Sequence, residues 1–169
     1  MITTKKISAG QSEYFTGWAS YSDLSLGTQT ITSIPTKLLI DTDMVIQESQ
    51  LPIDAQNSLW NGGLSKINPI SLNDSYDVRV SFYVQSKTSS PTKITYILDI
   101  GGTSSITNNV YESTVGIFKT APYNEGFTFP IFCNSTFLDN GGQIFLFTDT
   151  GSINIASKNI LLIRTHKGF

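Results

Sequence analysis

The sequence predicts an all-β protein, an antiparallel sandwich of about eight to ten strands with essentially no helix. Three observations carry this. The segment Tyr76–Gln85 alternates strictly, with Tyr76, Val78, Val80, Phe82 and Val84 on one face and Asp77, Arg79 and Ser81 on the other. Gly, Pro, Asn and Asp punctuate the chain roughly every ten residues, as in Ile34-Pro35, Gly101-Gly102, Ala121-Pro122 and Asn140-Gly141-Gly142. Helix-forming material is scarce: there are only four glutamates, and no window sustains apolar residues at helical spacing.

The elements follow in order. Strands are expected at Tyr14–Ser20, Thr28–Ile34, Lys37–Ile40 and Ile67–Ser71, then Tyr76–Gln85, Lys93–Ile100 and Val110–Lys119. Phe127–Asn134, Gln143–Thr148 and Ile160–His166 complete the set. Between Met44 and Ser58, Pro52 and the interleaved Gln and Ser predict an irregular excursion with at most one helical turn. Residues 1–13 read as a polar arm, and 14–169 as one domain, since a chain of 169 residues is long enough for a single core.

Composition narrows the function. Charged residues make up 14% of the chain against roughly 25% in ordinary soluble domains, and Ser, Thr and Asn take their place. Nothing concentrates enough Lys or Arg to neutralise a run of phosphates, so nucleic acid is not an expected partner. The start of the chain is polar and no apolar stretch is long enough to span a bilayer, which predicts a protein made in the cytoplasm without export and without a membrane partner. A single cysteine excludes an intrachain disulfide. Cys133 is in phase with Phe127, Phe129 and Ile131 and is expected in the core.

Catalytic chemistry is hard to find. The one histidine, His166, has no nucleophile or orienting carboxylate near it in sequence. Asp41 and Asp43 have a spacing that on a strand would put both on one face, but they lack the further oxygens and turning glycine of a calcium loop and read as a loop opening after Ile40. Asp54, Asp74, Asp139 and Asp149 sit beside turn residues and read as turn formers. The paired glycines open no helix and precede no phosphate-loop lysine. No enzymatic activity, cofactor or metal is predicted. Trp18, Trp60 and the tyrosines could stack on sugar rings, but Trp60 is expected to plug its loop against the sandwich.

The late strands add an expectation about assembly. Ile144-Phe145-Leu146-Phe147 and Ile160-Leu161-Leu162-Ile163 are apolar on both faces, so each needs a second hydrophobic neighbour. Either the 47–64 loop covers them or another copy of the chain does. Phe118, Phe132, Phe145, Phe147, Leu161 and Ile163 are the residues expected at a contact between copies.

Several of these segments, taken in order, carry a resemblance. Gly17-Trp18-Ala19-Ser20-Tyr21, Thr28-Gln29-Thr30-Ile31-Thr32, Leu38-Leu39-Ile40, the Leu59-Trp60 pair, the segment Ile70–Val84 and the closing Ile160–Arg164 resemble bacteriophage virion proteins. The type is the decoration or head-fibre protein with a tumour-necrosis-factor-like trimeric jelly roll. The resemblance implies a jelly-roll fold and a homotrimer whose inner sheets meet on the three-fold axis. It implies a non-enzymatic capsid decoration (cement) role on the outer capsid surface, with the major capsid protein as partner. The short arm, with Lys5, Lys6 and Ile7, then becomes the capsid-binding segment. The alternative on the same fold is a receptor- or glycan-binding module at a tail or fibre tip, recognising a host-surface glycan through loops 101–109 and 121–126.

Overall fold

The computed structural model describes residues 17–23, 27–40, 45–51, 53, 55–56, 59–88, 91–117 and 120–168. Lys5, Lys6, Ile7, Asp41, Asp43, Asp54 and Phe118 lie outside them. Twelve strands and one short α-helix are present among the described residues. In chain order they are β1 (Gly17–Asp23), β2 (Gln29–Thr32), β3 (Thr36–Lys37), β4 (Val45–Gln47), β5 (Trp60–Asn61) and β6 (Lys66–Ile67). There follow β7 (Ser75–Lys87), β8 (Lys93–Asp99), β9 (Asn109–Gly116), β10 (Tyr123–Phe132), α1 (Ser135–Asn140), β11 (Gln143–Thr148) and β12 (Ser152–His166).

Ten of the strands form two antiparallel sheets, and β5 and β6 pair in a separate two-stranded ribbon. The larger runs β10-β7-β12-β1-β4, with β2 pairing the start of β12; the smaller runs β3-β11-β8-β9. The core lies between them. From β7 come Tyr76, Val78, Val80, Phe82 and Val84, each 2% exposed or less, as the alternation predicts. Burial of an aliphatic side chain of this size is worth roughly 1.5–3 kcal/mol, so this strand alone anchors a large part of the sandwich. Ile94, Tyr96 and Leu98 of β8 and Ile144 and Leu146 of β11 meet it from the other sheet. Cys133 is fully buried, as its phase predicts.

Three local features depart from what the sequence predicts. The 44–58 excursion contains a strand, β4, paired to Ser20–Ser22 of β1, and its continuation drives Leu51, Ala55 and Leu59 into the core. A helix forms at α1, between the expected strand ending at Asn134 and the expected turn at Asn140-Gly141-Gly142, where the sequence predicts no helix. Asn134 caps it by accepting from the Phe137 N–H at 2.8 Å, Phe137 is buried, and Gly141 closes it at φ +73°. Six residues with one apolar anchor leave no periodic signal. Finally β12 starts eight residues before Ile160, because a bulge between Ala156 and Asn159 breaks the alternation there.

Candidate interaction surface

The residues that could act on a partner are those the large sheet turns away from the core. Its register sets them in rows across β1, β12, β7 and β10. One row is Trp18, Ile163, Asp77 and Pro130; the next is Ser20, Leu161, Arg79 and Thr128; the third is Ser22, Asn159, Ser81 and Gly126. The rows follow from period two, since inward Ala19, Tyr21, Leu162, Val78 and Val80 leave their neighbours outward. Trp18 is 39% exposed and Leu161 and Ile163 are half-buried, so the first two rows hold a continuous apolar strip. The third row is polar: the Asn159 amide donates to Ser20 Oγ at 2.8 Å and to Ser22 Oγ at 2.6 Å. Gly126 supplies no side chain, and an open depression of about 490 Å³ lies between Arg79, Ser81, Thr128, Asn159 and Leu161.

A second apolar surface lies on the flank where the edge strands β9 and β10 run close together. Phe132 is 57% exposed and Val110 45%. Between them is a cleft of about 140 Å³, also lined by Leu98, Ile100, Tyr111 and Ile131.

Of the six residues expected at one contact, Phe118 lies outside the described residues and the other five do not all share a face. Leu161 and Ile163 lie on the outer face of the large sheet, and Phe132 at its β10 end. Phe145 and Phe147 lie on the outer face of the small sheet, opposite Ile97 and Thr95. There Phe145 is 1% exposed and Ile97 6%, so the second neighbour of β11 is supplied within the protomer. Of the two doubly apolar runs, β12 is the one whose outer face stays uncovered among the described residues. Trp18 belongs with Leu161 and Ile163, and its cross-strand position opposite Ile163 is legible only once the register is known.

Chemistry is sparse on these surfaces. His166 is exposed at the end of β12, and no group of three His, Cys, Asp or Glu able to hold a metal occurs among the described residues. The 101–109 loop is held by Asp99, which accepts from the Gly101 N–H at 3.0 Å, the Thr107 N–H at 2.8 Å and the Asn108 N–H. It contains no aromatic residue to stack on a sugar. In the 121–126 segment, Tyr123 is partly buried and packs against the core, and this burial pushes its phenol up from its ordinary value. Trp60 is buried against Tyr21, ring centroids 6.0 Å apart, and its indole N–H donates to the Ile40 carbonyl. It is the loop plug its sequence context predicts.

No protein-family model and no curated protein sequence matches the chain. Solved structures do. Eiger TNF from S. frugiperda superposes with a TM-score of 0.56 at 10% identity, over 91% of this chain and 95% of that one. The fold is a tumour-necrosis-factor-like jelly roll. The vertex protein P5 of phage PRD1 superposes with a TM-score of 0.53 at 12% identity, over 88% of this chain and 96% of that one. At these identities the jelly roll is what the three chains share.

Proposed function

We propose that this chain is a non-enzymatic bacteriophage virion structural protein, a homotrimer that decorates the outer capsid surface. The observation that carries the reading is the uncovered apolar strip of Trp18, Leu161 and Ile163 on the large sheet. A monomeric sandwich gains nothing from leaving that strip wet. The flank patch of Phe132 and Val110 adjoins this face at β10, where Pro130 belongs to both, but it does not include Trp18, Leu161 or Ile163. Contact of one with the other between copies is therefore heterologous, and a heterologous contact with the right rotation closes into a ring. The jelly roll shared with a phage vertex protein supports the virion setting.

Attachment to the shell works by multivalency. Three copies present three arms, with Lys5, Lys6 and Ile7, or three basal loops to neighbouring copies of the major capsid protein, so weak single contacts sum to tight binding. Neither a cofactor nor a catalytic residue enters this reading.

The test has two stages. Light scattering at low micromolar concentration is expected to give three times the 18.5 kDa protomer mass. Purified shells lacking the protein are then expected to bind it, and to bind the Lys5→Ala/Lys6→Ala/Ile7→Ser variant much less. A monomer overturns the ring, and equal shell binding by the variant overturns the arm.

A further inference from the structure

The first and last strands of the described fold carry a buried pair of reactive groups. Lys158 on β12 and Asp23 on β1 are directly opposed in the sheet register. Lys158 Nζ is 2.9 Å from Asp23 Oδ2, and each side chain is only 6% exposed. The inward neighbours along the two strands are Ala156, Ile160 and Tyr21, all buried.

The backbone is bent to produce this arrangement. Ile153 and Ile155 point into the core, and strict alternation would send Ser157 in after them and turn Lys158 out. The bulge between Ala156 and Asn159 reverses that, leaving Ser157 exposed and Lys158 inside. Ser157 takes φ +48° to do so, a left-handed conformation that a serine adopts only under constraint. Bulges re-aim side chains, and this one aims an amine at a carboxyl group away from water.

A proton on the 2.9 Å contact can pass from Nζ to the carboxylate, which sets an amine beside a carboxylic acid. Fixed proximity of this kind replaces a bimolecular encounter and greatly raises the effective concentration of the reactants. We propose that Lys158 and Asp23 condense into an intramolecular isopeptide bond that clasps β1 to β12. Nζ attacks Cγ, the Nζ–Cγ bond forms, and the Cγ–OH bond breaks. The departing hydroxyl takes a proton from the attacking nitrogen and leaves as water. Ammonium and carboxylate become amide and one water, with no oxidant, reductant or second reactant. The inference is independent of the virion reading.

Intact-mass spectrometry of the purified full-length chain tests it. The expected mass is that of the sequence less one water, and digestion is expected to yield a branched peptide joining Lys158 to Asp23. Lys158→Arg, whose guanidinium does not condense, is expected at its full sequence mass. A wild-type chain at full mass overturns the proposal. So does a water loss confined to a linear peptide, which marks a cyclic imide at an aspartate instead. The wild-type branched peptide is decisive by itself, so the test does not depend on whether the variant folds.

Discussion

Asp74 and Arg164 meet inside the sandwich, with Oδ1 2.8 Å from Nη2 and both side chains fully buried. The same carboxylate accepts from the Gly168 N–H at 2.8 Å, the Tyr76 hydroxyl at 2.6 Å and the Ser71 N–H at 3.2 Å. One side chain thus ties the turn before β7, β7 itself, the end of β12 and the residues beyond it. Arg164 gives β12 an inward charge where the alternation would place an aliphatic residue, and Asp74 supplies the countercharge at Nη2.

Breaking this pair should cost far more than replacing it. Asp74→Asn leaves a buried guanidinium without its countercharge, and loss of one partner of such a pair typically costs about 3–5 kcal/mol. Asp74→Leu combined with Arg164→Met removes both charges and should recover most of that loss. Urea unfolding of the two variants measures the difference. Equal destabilisation by the single and double variants would show that the hydrogen bonds to Gly168 and Ser71, rather than the charge pair, carry the energy.

Alkaline pH should unfold the protein through its phenols. Burial raises the Tyr21 phenol, with Glu48 adding to the effect; burial likewise raises Tyr76, aided by Asp74, and Tyr96, aided by Glu125. For a group raised on folding, stability is complete below its unfolded value, here 10.0, and falls as pH climbs toward the folded one. Cys133 acts in the same sense, its thiol pushed up by burial to about 11 from 9.0. Stability should therefore be flat through neutral pH and decline from about pH 9 upward. In absorbance titration, only part of the seven tyrosines should ionise before the fold is lost. Smooth ionisation of all seven in the folded protein would contradict the burial.

Gly17 should tolerate no side chain. A Cβ built there lies 2.2 Å from the Gln50 carbonyl oxygen, which is main chain and cannot swing aside. Gly17→Ala is expected to lower stability by about 1–3 kcal/mol, the usual cost of overpacking, by pushing the 50–51 backbone off β1. Thermal melting checks this, with Gly63→Ala as control, because a Cβ there finds its nearest neighbour at 3.7 Å.

Much of this architecture is readable from the residues. The alternation of β7 places all five of its core side chains, and the phase of Cys133 places the thiol, because both depend only on period two. What escapes depends on distant partners. Asp74 looks like a turn former, and nothing local says that Arg164, ninety positions away, will meet its Oδ1. The doubly apolar runs of β11 and β12 look alike in sequence, yet Phe145 is covered by its own protomer while Leu161 and Ile163 are left half-open. The bulge at Ser157 hides the first half of β12 and with it the inward turn of Lys158.

That asymmetry between the two runs supplies the sharpest test of assembly. Leu161 sits opposite Ser20 and Arg79 on the outer face, so an aspartate there has water or Arg79 to meet and asks nothing of the core. Leu161→Asp should leave the monomer's far-ultraviolet circular dichroism unchanged and its unfolding midpoint little altered. In the proposed ring the same aspartate is carried into an apolar contact, where an unpaired charge is strongly unfavourable. Light scattering of the variant is expected to show a monomer where the wild type shows a trimer. Phe145→Asp, in contrast, should unfold the chain outright, because that position is already closed in the protomer. A Leu161→Asp trimer as stable as wild type would move the contact away from this face and toward the Phe132 flank alone.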